Sequence, residues 1–186
     1  MVKALIVVDM QNDFMDDGAL PVHGSIAIIP AINRYIELFS SKGAKIIATR
    51  DWHPENHISF RSRGGLWPPH CIQNTKGAQF HPSLRLAKNT LIVSKATDPD
   101  KEAYSGFQGT GLAYSLKSES IDELYVCGVA TEYCVKNTAL DALAYSFKVH
   151  LLTDAIKGID EEASKVAVQE MVNKGVLKDS LNAVKL

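Results

Sequence analysis

The chain alternates short, almost wholly apolar runs with stretches in which apolar side chains return every three to five residues. Lys3 to Val8, Ala44 to Thr49, Thr90 to Ser94, Leu124 to Cys127 and Lys148 to Leu152 are runs of the first kind and read as strands. Their apolar residues occupy both alternating positions, so a parallel sheet covered on two faces is expected. The periodic stretches between them read as helices. One starts at Ile26 or Pro30 and ends near Lys42, with Ile28, Ile32, Ile36 and Phe39 inward and Gly43 as terminus. A short one covers Leu112 to Lys117. Another is expected to start at Thr131 as its cap, after Gly128 has ended the preceding strand, with Val135, Leu140, Leu143 and Phe147 along its buried side. The last opens on Asp160-Glu161-Glu162, repeats Ala163, Ala167 and Met171, and closes on Lys174-Gly175, with charges matching the helix dipole at each end. Leu181 to Val184 is expected to add a final strand. The alternation predicts a three-layer α/β/α fold, a single domain over 1–186, with right-handed parallel crossovers.

One region breaks the pattern. From Trp52 to Pro82 no period holds, and prolines stand at 54, 68, 69 and 82. Four of the chain's six histidines, His53, His57, His70 and His81, fall there, together with Trp52, Phe60, Trp67 and Phe80. An irregular segment this long with so much to bury is expected to be functional rather than disordered.

Charge narrows the partners. With 20 basic and 21 acidic side chains the formal net charge is -1, which gives no reason to expect nucleic acid or an anionic membrane. No run approaches transmembrane length and the start lacks a signal-peptide pattern. Three cysteines form no disulfide framework, and with that start they point to the reducing cytoplasm. A small molecule is the expected partner.

Two groups of residues are anchored at or just beyond strand ends, the rim where α/β folds gather ligands, the second completed by a histidine from the long loop. The first is Asp9, Lys95 and Cys134. Cys134 falls in the first turn of its helix, where free amides and the helix dipole would lower a solvent-reachable thiol's pKa. A carboxylate can serve as its base, with a lysine stabilising both charges; the bland reading makes Asp9 a turn cap and Lys95 a solvated flank. The second is Asp51, His53 and His70, an oxygen and two imidazoles able to hold one divalent ion in the 51–82 region. The alternative there is a turn cap with two histidines bonded to loop backbone. His57 is an optional further ligand and His81 reads as structural. Cys127 reads as a buried apolar residue, while Cys71 fits a metal ligand or a structural role equally. Gly106, Gly109 and Gly111 match no dinucleotide or phosphate-loop fingerprint.

Taken in order, VVDMQNDF, RDWHPENHISF, WPPHC, KATDPDKEAYSGF and GVATEYCV carry both groups. In these motifs the chain resembles the isochorismatase-like cysteine hydrolases, and within them the nicotinamidase (pyrazinamidase) branch. The resemblance implies a six-stranded parallel sheet, Cys134 as nucleophile, Asp9 as base, Lys95 as electrostatic partner, and a cis peptide between Val129 and Ala130. It further implies an oxyanion hole from the N–H groups of Ala130 and Cys134, and an aromatic pocket bordered by Phe14, Trp67, Tyr104 and Tyr133. The metal held by Asp51, His53 and His70 would be Zn2+, with Fe2+ or Mn2+ as alternatives, placed beside a pyridine nitrogen. The substrate would be a small aromatic amide such as nicotinamide or pyrazinamide. A monomer or a homo-oligomer fits, a dimer being a reasonable expectation. Other readings remain open at this level: a related hydrolase of another amide, a carbamoyl compound or a vinyl ether, or a non-enzymatic zinc or redox module.

Overall fold

A computed structural model describes residues 2–184. The elements in chain order are β1 (Val2–Val8), α1 (Ile29–Ser41), β2 (Lys45–Asp51), β3 (Leu91–Lys95), α2 (Leu112–Ser118), β4 (Ile121–Val129), α3 (Lys136–Ala144), β5 (Lys148–Lys157), α4 (Glu161–Asn173) and β6 (Leu177–Asp179). The six strands form one sheet in the order β3-β2-β1-β4-β5-β6, and every neighbouring pair is parallel. The chain builds outward from β1 to β3, then returns to β4 beside β1 and builds the other way. That reversal opens a crevice beyond the carboxyl ends of β1 and β4.

Two apolar layers cover the sheet, which is why the strands lack polar alternation. Leu5, Val7, Ile46, Ala48, Tyr125 and Cys127 pack with Ile32, Tyr35, Ile36 and Phe39 of α1. Ala4, Ile6, Val8, Leu124, Val126, Val149 and Leu151 face the other way, onto Leu116 of α2, Ala139 and Ala142 of α3 and Met171 of α4. The three-layer parallel fold expected from the sequence is therefore present. No described helix is long and apolar enough to cross a membrane.

Several local expectations need correction. The last strand is Leu177–Asp179, and 181–184 is a turn held by the Leu181 N–H donating to Asp154 Oδ2 (3.0 Å). The polar Lys178 and Asp179 hide the strand from a hydrophobicity reading. β5 continues through Asp154 to Lys157, with a shift in register against β4 between Val126 and Gly128. Thr131 caps nothing: Ala130 stands at the cap position without a side-chain bond, and 131–135 is a π-helical turn leading into α3. The buried side of α3 is Val135, Thr138, Ala139 and Ala142, because small residues let the helix lie close to the sheet, while Leu140 and Leu143 are only partly covered. In α4, Ala163 is exposed; Ala167 and Met171 are buried.

Gly128 does not end β4, which runs one residue further. Its φ is 114°, and a Cβ there would run into the Val8 carbonyl oxygen. Only glycine lets the ends of β1 and β4 approach so closely, and Asp9 and Ala130 lie just beyond them. Gly128→Ala is expected to cost about 3 kcal/mol in backbone strain. At about 2–4 °C per kcal/mol for a chain this size, a thermal melt should fall by roughly 6–12 °C; an unchanged melt would contradict the close approach.

Candidate active site

Four side chains meet at the carboxyl rim of four adjacent strands. Asp9 follows β1 with φ at 51°, a left-handed kink that turns its carboxylate out of the ladder. Asp51 ends β2 and is paired in register with Lys95, which ends β3. Asp51 thus lies inside the strand rather than after it, which explains how its side chain meets Lys95. Cys134 sits in the π-helical turn after β4 and the cis Val129–Ala130 peptide. In this turn the amides of Tyr133 and Val135 both donate to the Ala130 carbonyl, at 3.1 Å each.

Lys95 is the hub. Its Nζ lies 2.9 Å from Asp9 Oδ2, 2.5 Å from Asp51 Oδ1 and 3.4 Å from Cys134 Sγ. The Thr49 hydroxyl donates to the other Asp9 oxygen at 2.7 Å. All four groups are buried, with Lys95 only 1% exposed. Burial alone would strip the charge from each, so their mutual arrangement decides the protonation states. Burial pulls the Lys95 ammonium down, but Asp51 and Asp9 outweigh it and hold its pKa well above the usual value. Burial pushes Asp9 up, Lys95 opposes, Asp51 adds to the rise, and the carboxyl ends above its ordinary range. Asp51 ends below that range, because Lys95 and the neighbouring histidines overcome its burial.

Cys134 departs from the sequence expectation of a lowered pKa. Burial pushes its thiol up, Lys95 pulls down, and Asp9 and Asp51 add to the rise, leaving it well above the ordinary value. The condition of ready solvent access is not met, since Cys134 is 6% exposed. Burial thus raises the proton affinity of both the thiol and the neighbouring Asp9 carboxyl, with Lys95 opposing the rise in each.

The second group gathers on the same side of Asp51. One ligand atom each from Asp51, His53 and His70 lies within 4.8 Å of the others, all three residues being buried. The His53 Nδ1 is 3.0 Å from the His70 carbonyl and the His70 Nδ1 is 2.8 Å from the Pro68 carbonyl. Carbonyls accept, so both Nδ1 atoms carry hydrogens and both Nε2 lone pairs are left for a cation. Burial, against the pull of Asp51, lowers His53 to about 4, and burial lowers His70 as well, which favours neutral, ligating imidazoles. The donor set fits a divalent ion of the zinc, iron or manganese type.

The remaining histidines and Cys71 have partners of their own. His57 accepts from the Ser59 N–H at Nδ1 (3.2 Å), and its Nε2 lies 3.0 Å from the Lys101 carbonyl, while its ring is tilted beside that of His53; ligand atoms of His53, His57 and Glu102 also lie within 4.8 Å of one another, so His57 stays an optional further ligand. His81 Nδ1 accepts from the Ser83 N–H in a turn. Cys71 is fully buried in the core and its thiol is pushed up by burial, so its structural reading is the one this packing favours.

Phe14, Trp67, Tyr104 and Tyr133 line one cavity of about 30 Å³ with Cys134, Ala130, Asp51 and His70. Trp67 Nε1 donates to the Tyr104 hydroxyl at 3.0 Å, and the Trp67 ring meets Tyr133 edge-on. Leu20 and Ile159 also line the cavity; neither lies in a motif that sequence reasoning singled out. Ile159 is held by Glu132, whose carboxylate accepts from the Ile159 and Asp160 amides at 2.8 Å each. A far broader groove of about 820 Å³ along α1 contains none of these groups. Chemistry, not volume, marks the site.

The chain and its fold have counterparts among known proteins. Residues 3–178 match the Isochorismatase domain. The chain is 40% identical to the nicotinamidase of Escherichia coli, over 85% of this chain and 84% of that one. It superposes on the pyrazinamidase of Pyrococcus horikoshii, solved in complex with zinc, with a TM-score of 0.95 and 57% identity over 97% of this chain and all of the other. A protein of L. infantum solved in complex with nicotinate gives 0.93 and 37%, over 99% and 95% of the two chains. A buried cysteine, lysine and aspartate beyond a six-stranded parallel sheet, with this breadth of likeness, place the chain in the isochorismatase family.

Proposed function

We propose that this chain is a nicotinamidase: it hydrolyses the carboxamide of nicotinamide to nicotinate and ammonia, a step of NAD salvage, and takes pyrazinamide as a second substrate. The observation that carries this reading is the buried Lys95 ammonium lying between Asp9 and Cys134. Similarity to nicotinamidases and pyrazinamidases supplies the substrate class.

Asp9 takes the Cys134 proton, and the thiolate attacks the carboxamide carbon. Lys95 offsets the negative charge on whichever partner has lost the proton. The N–H groups of Ala130 and Cys134 receive the developing oxyanion, where preorganised donors are worth most. Asp9 returns its proton to the nitrogen, ammonia leaves, and the acyl group remains on Cys134 as a thioester. Asp9 then accepts a proton from water as its oxygen attacks the thioester, and the proton goes back to the departing sulfur. Phe14, Trp67, Tyr104 and Tyr133 border the ring and exclude bulk water once their side chains have parted to widen the cavity. Asp51, His53 and His70 would hold one divalent ion, zinc foremost, which supplies a Lewis-acidic contact for the pyridine nitrogen and so orients the ring.

The test is release of ammonia and nicotinate from nicotinamide by zinc-loaded protein, with chelated protein in parallel. Chelation should lower the rate at subsaturating nicotinamide severalfold, and zinc should restore it. Folded, zinc-loaded protein that releases neither product would overturn the assignment.

A further inference from the structure

A segment that supplies no metal-site residue holds the Asp51 main chain and the His70–Cys71 peptide, whose carbonyl in turn meets the His53 ring. Between Asp9 and Phe14, three alternate side chains reach three parts of the site. Asp9 faces Lys95. Gln11, fully buried, reaches Asp51: its Nε2 donates to the Asp51 carbonyl (2.7 Å) and the Ala78 carbonyl (2.9 Å), while its Oε1 accepts from the Asp51 N–H (2.8 Å). One side-chain amide thereby pairs with both main-chain groups of one residue, as a neighbouring strand would.

Asp13 bears on the other two through a single peptide. Its Oδ2 accepts from the Cys71 N–H at 2.7 Å, and its own N–H donates to the Gly77 carbonyl at 3.0 Å. Gly77 packs so closely that a Cβ there would run into the Asp13 carboxylate. The Cys71 N–H belongs to the peptide unit whose carbonyl is that of His70, and this carbonyl lies 3.0 Å from His53 Nδ1. Cys71 has φ at 47°, a left-handed conformation that persists only where the surroundings hold it. One carboxylate thus fixes the peptide that carries the His70 ring and turns the His53 ring.

We propose that Gln11 and Asp13 are positioning residues for the metal centre, Gln11 through the main chain of Asp51 and Asp13 through the His70–Cys71 peptide. The proposal rests on the reading of Asp51, His53 and His70 as the metal-holding set. Partners that orient ligands in this way are typically worth about 10–100-fold in metal affinity.

The experiment compares Asp13→Ala, Asp13→Asn, Gln11→Met and His70→Ala with the parent. The readouts are zinc affinity by chelator competition, the visible spectrum of the cobalt-loaded protein, and the alkylation rate of Cys134 in metal-free protein. Asp13→Ala and Gln11→Met should each weaken zinc about tenfold or more and shift the cobalt spectrum, with Cys134 alkylation unchanged within about twofold. Asp13→Asn keeps an oxygen to accept from the Cys71 N–H and should regain most of the affinity. His70→Ala separates the two levels: parental zinc affinity there would sink the metal reading itself. If His70→Ala loses zinc while Asp13→Ala and Gln11→Met keep parental affinity and spectrum, the metal reading stands and the positioning proposal is overturned. Zinc loss accompanied by faster Cys134 alkylation would mark general loosening and would equally overturn it. Should Gln11→Met fail to fold, the half-buried Asp13 pair of variants still decides.

Discussion

Cys134→Ala should reduce nicotinamide hydrolysis by about four orders of magnitude or more, the scale seen when a nucleophile acting in a unit with its base is removed. Zinc content and melting temperature should stay near those of the parent. The side chain is small, and its loss leaves the Lys95 ion pairs with Asp9 and Asp51 in place. Ammonia release by initial rates, beside nicotinamide binding by calorimetry, separates chemistry from recognition. More than about a hundredth of parental turnover would exclude the thioester route, since the pocket and oxyanion donors alone cannot supply that much.

Lys95→Met should be both inactive and markedly unstable. Methionine replaces the stem of the lysine in volume but leaves Asp9 and Asp51 buried without their shared cation. Removing one partner from a buried ionic group typically costs about 3–5 kcal/mol. The pH dependence of that loss has a definite sign. Lys95 lowers the Asp9 pKa against the upward push of burial, so without it the folded-state value climbs further above that of the unfolded chain. Stability tied to a raised pKa is fully present below the unfolded value and is lost as pH rises through the folded one. The gap in melting temperature between variant and parent, both chelated, should therefore be widest near neutral pH and narrow toward pH ~4, the unfolded aspartate value. A gap that widens on acidification would contradict the charge assignment around Lys95.

Much of this molecule can be read from its sequence because strands buried on both faces announce themselves as apolar runs, and the residues closing those runs in a parallel sheet must share one rim. Asp9, Asp51, Lys95 and Cys134 are legible that way, and the five motifs supply their grouping. Other features leave no local trace. Gln11 and Asp13 fall inside the VVDMQNDF motif, but nothing local gives them a role; their meaning lies in backbone groups 40 and 58 positions away. Ile159 borders the pocket from far along the chain, with its amide bonded to Glu132. β6 escapes a hydrophobicity reading because its Lys178 and Asp179 carry charge, and an edge strand of three residues needs little apolar character. The buried side of α3 is misleading in sequence because leucines attract the eye where alanines make the close contact. The thiol's protonation depends on burial, which composition does not report.

The placement of the site along four consecutive strands sets which parts of the molecule can open independently. β3, β2, β1 and β4 each contribute a group, and the Asp51–Lys95 pairing depends on one register, so a slip of a single residue would turn these side chains to the opposite face. β6 carries none of them, stands at the far edge and has only three residues. Local opening of that edge, together with the 181–184 turn, leaves the reactive cluster assembled. In hydrogen exchange, amides of β6 should lose protection at free energies well below those of β1 and β4, while turnover persists until the central strands part.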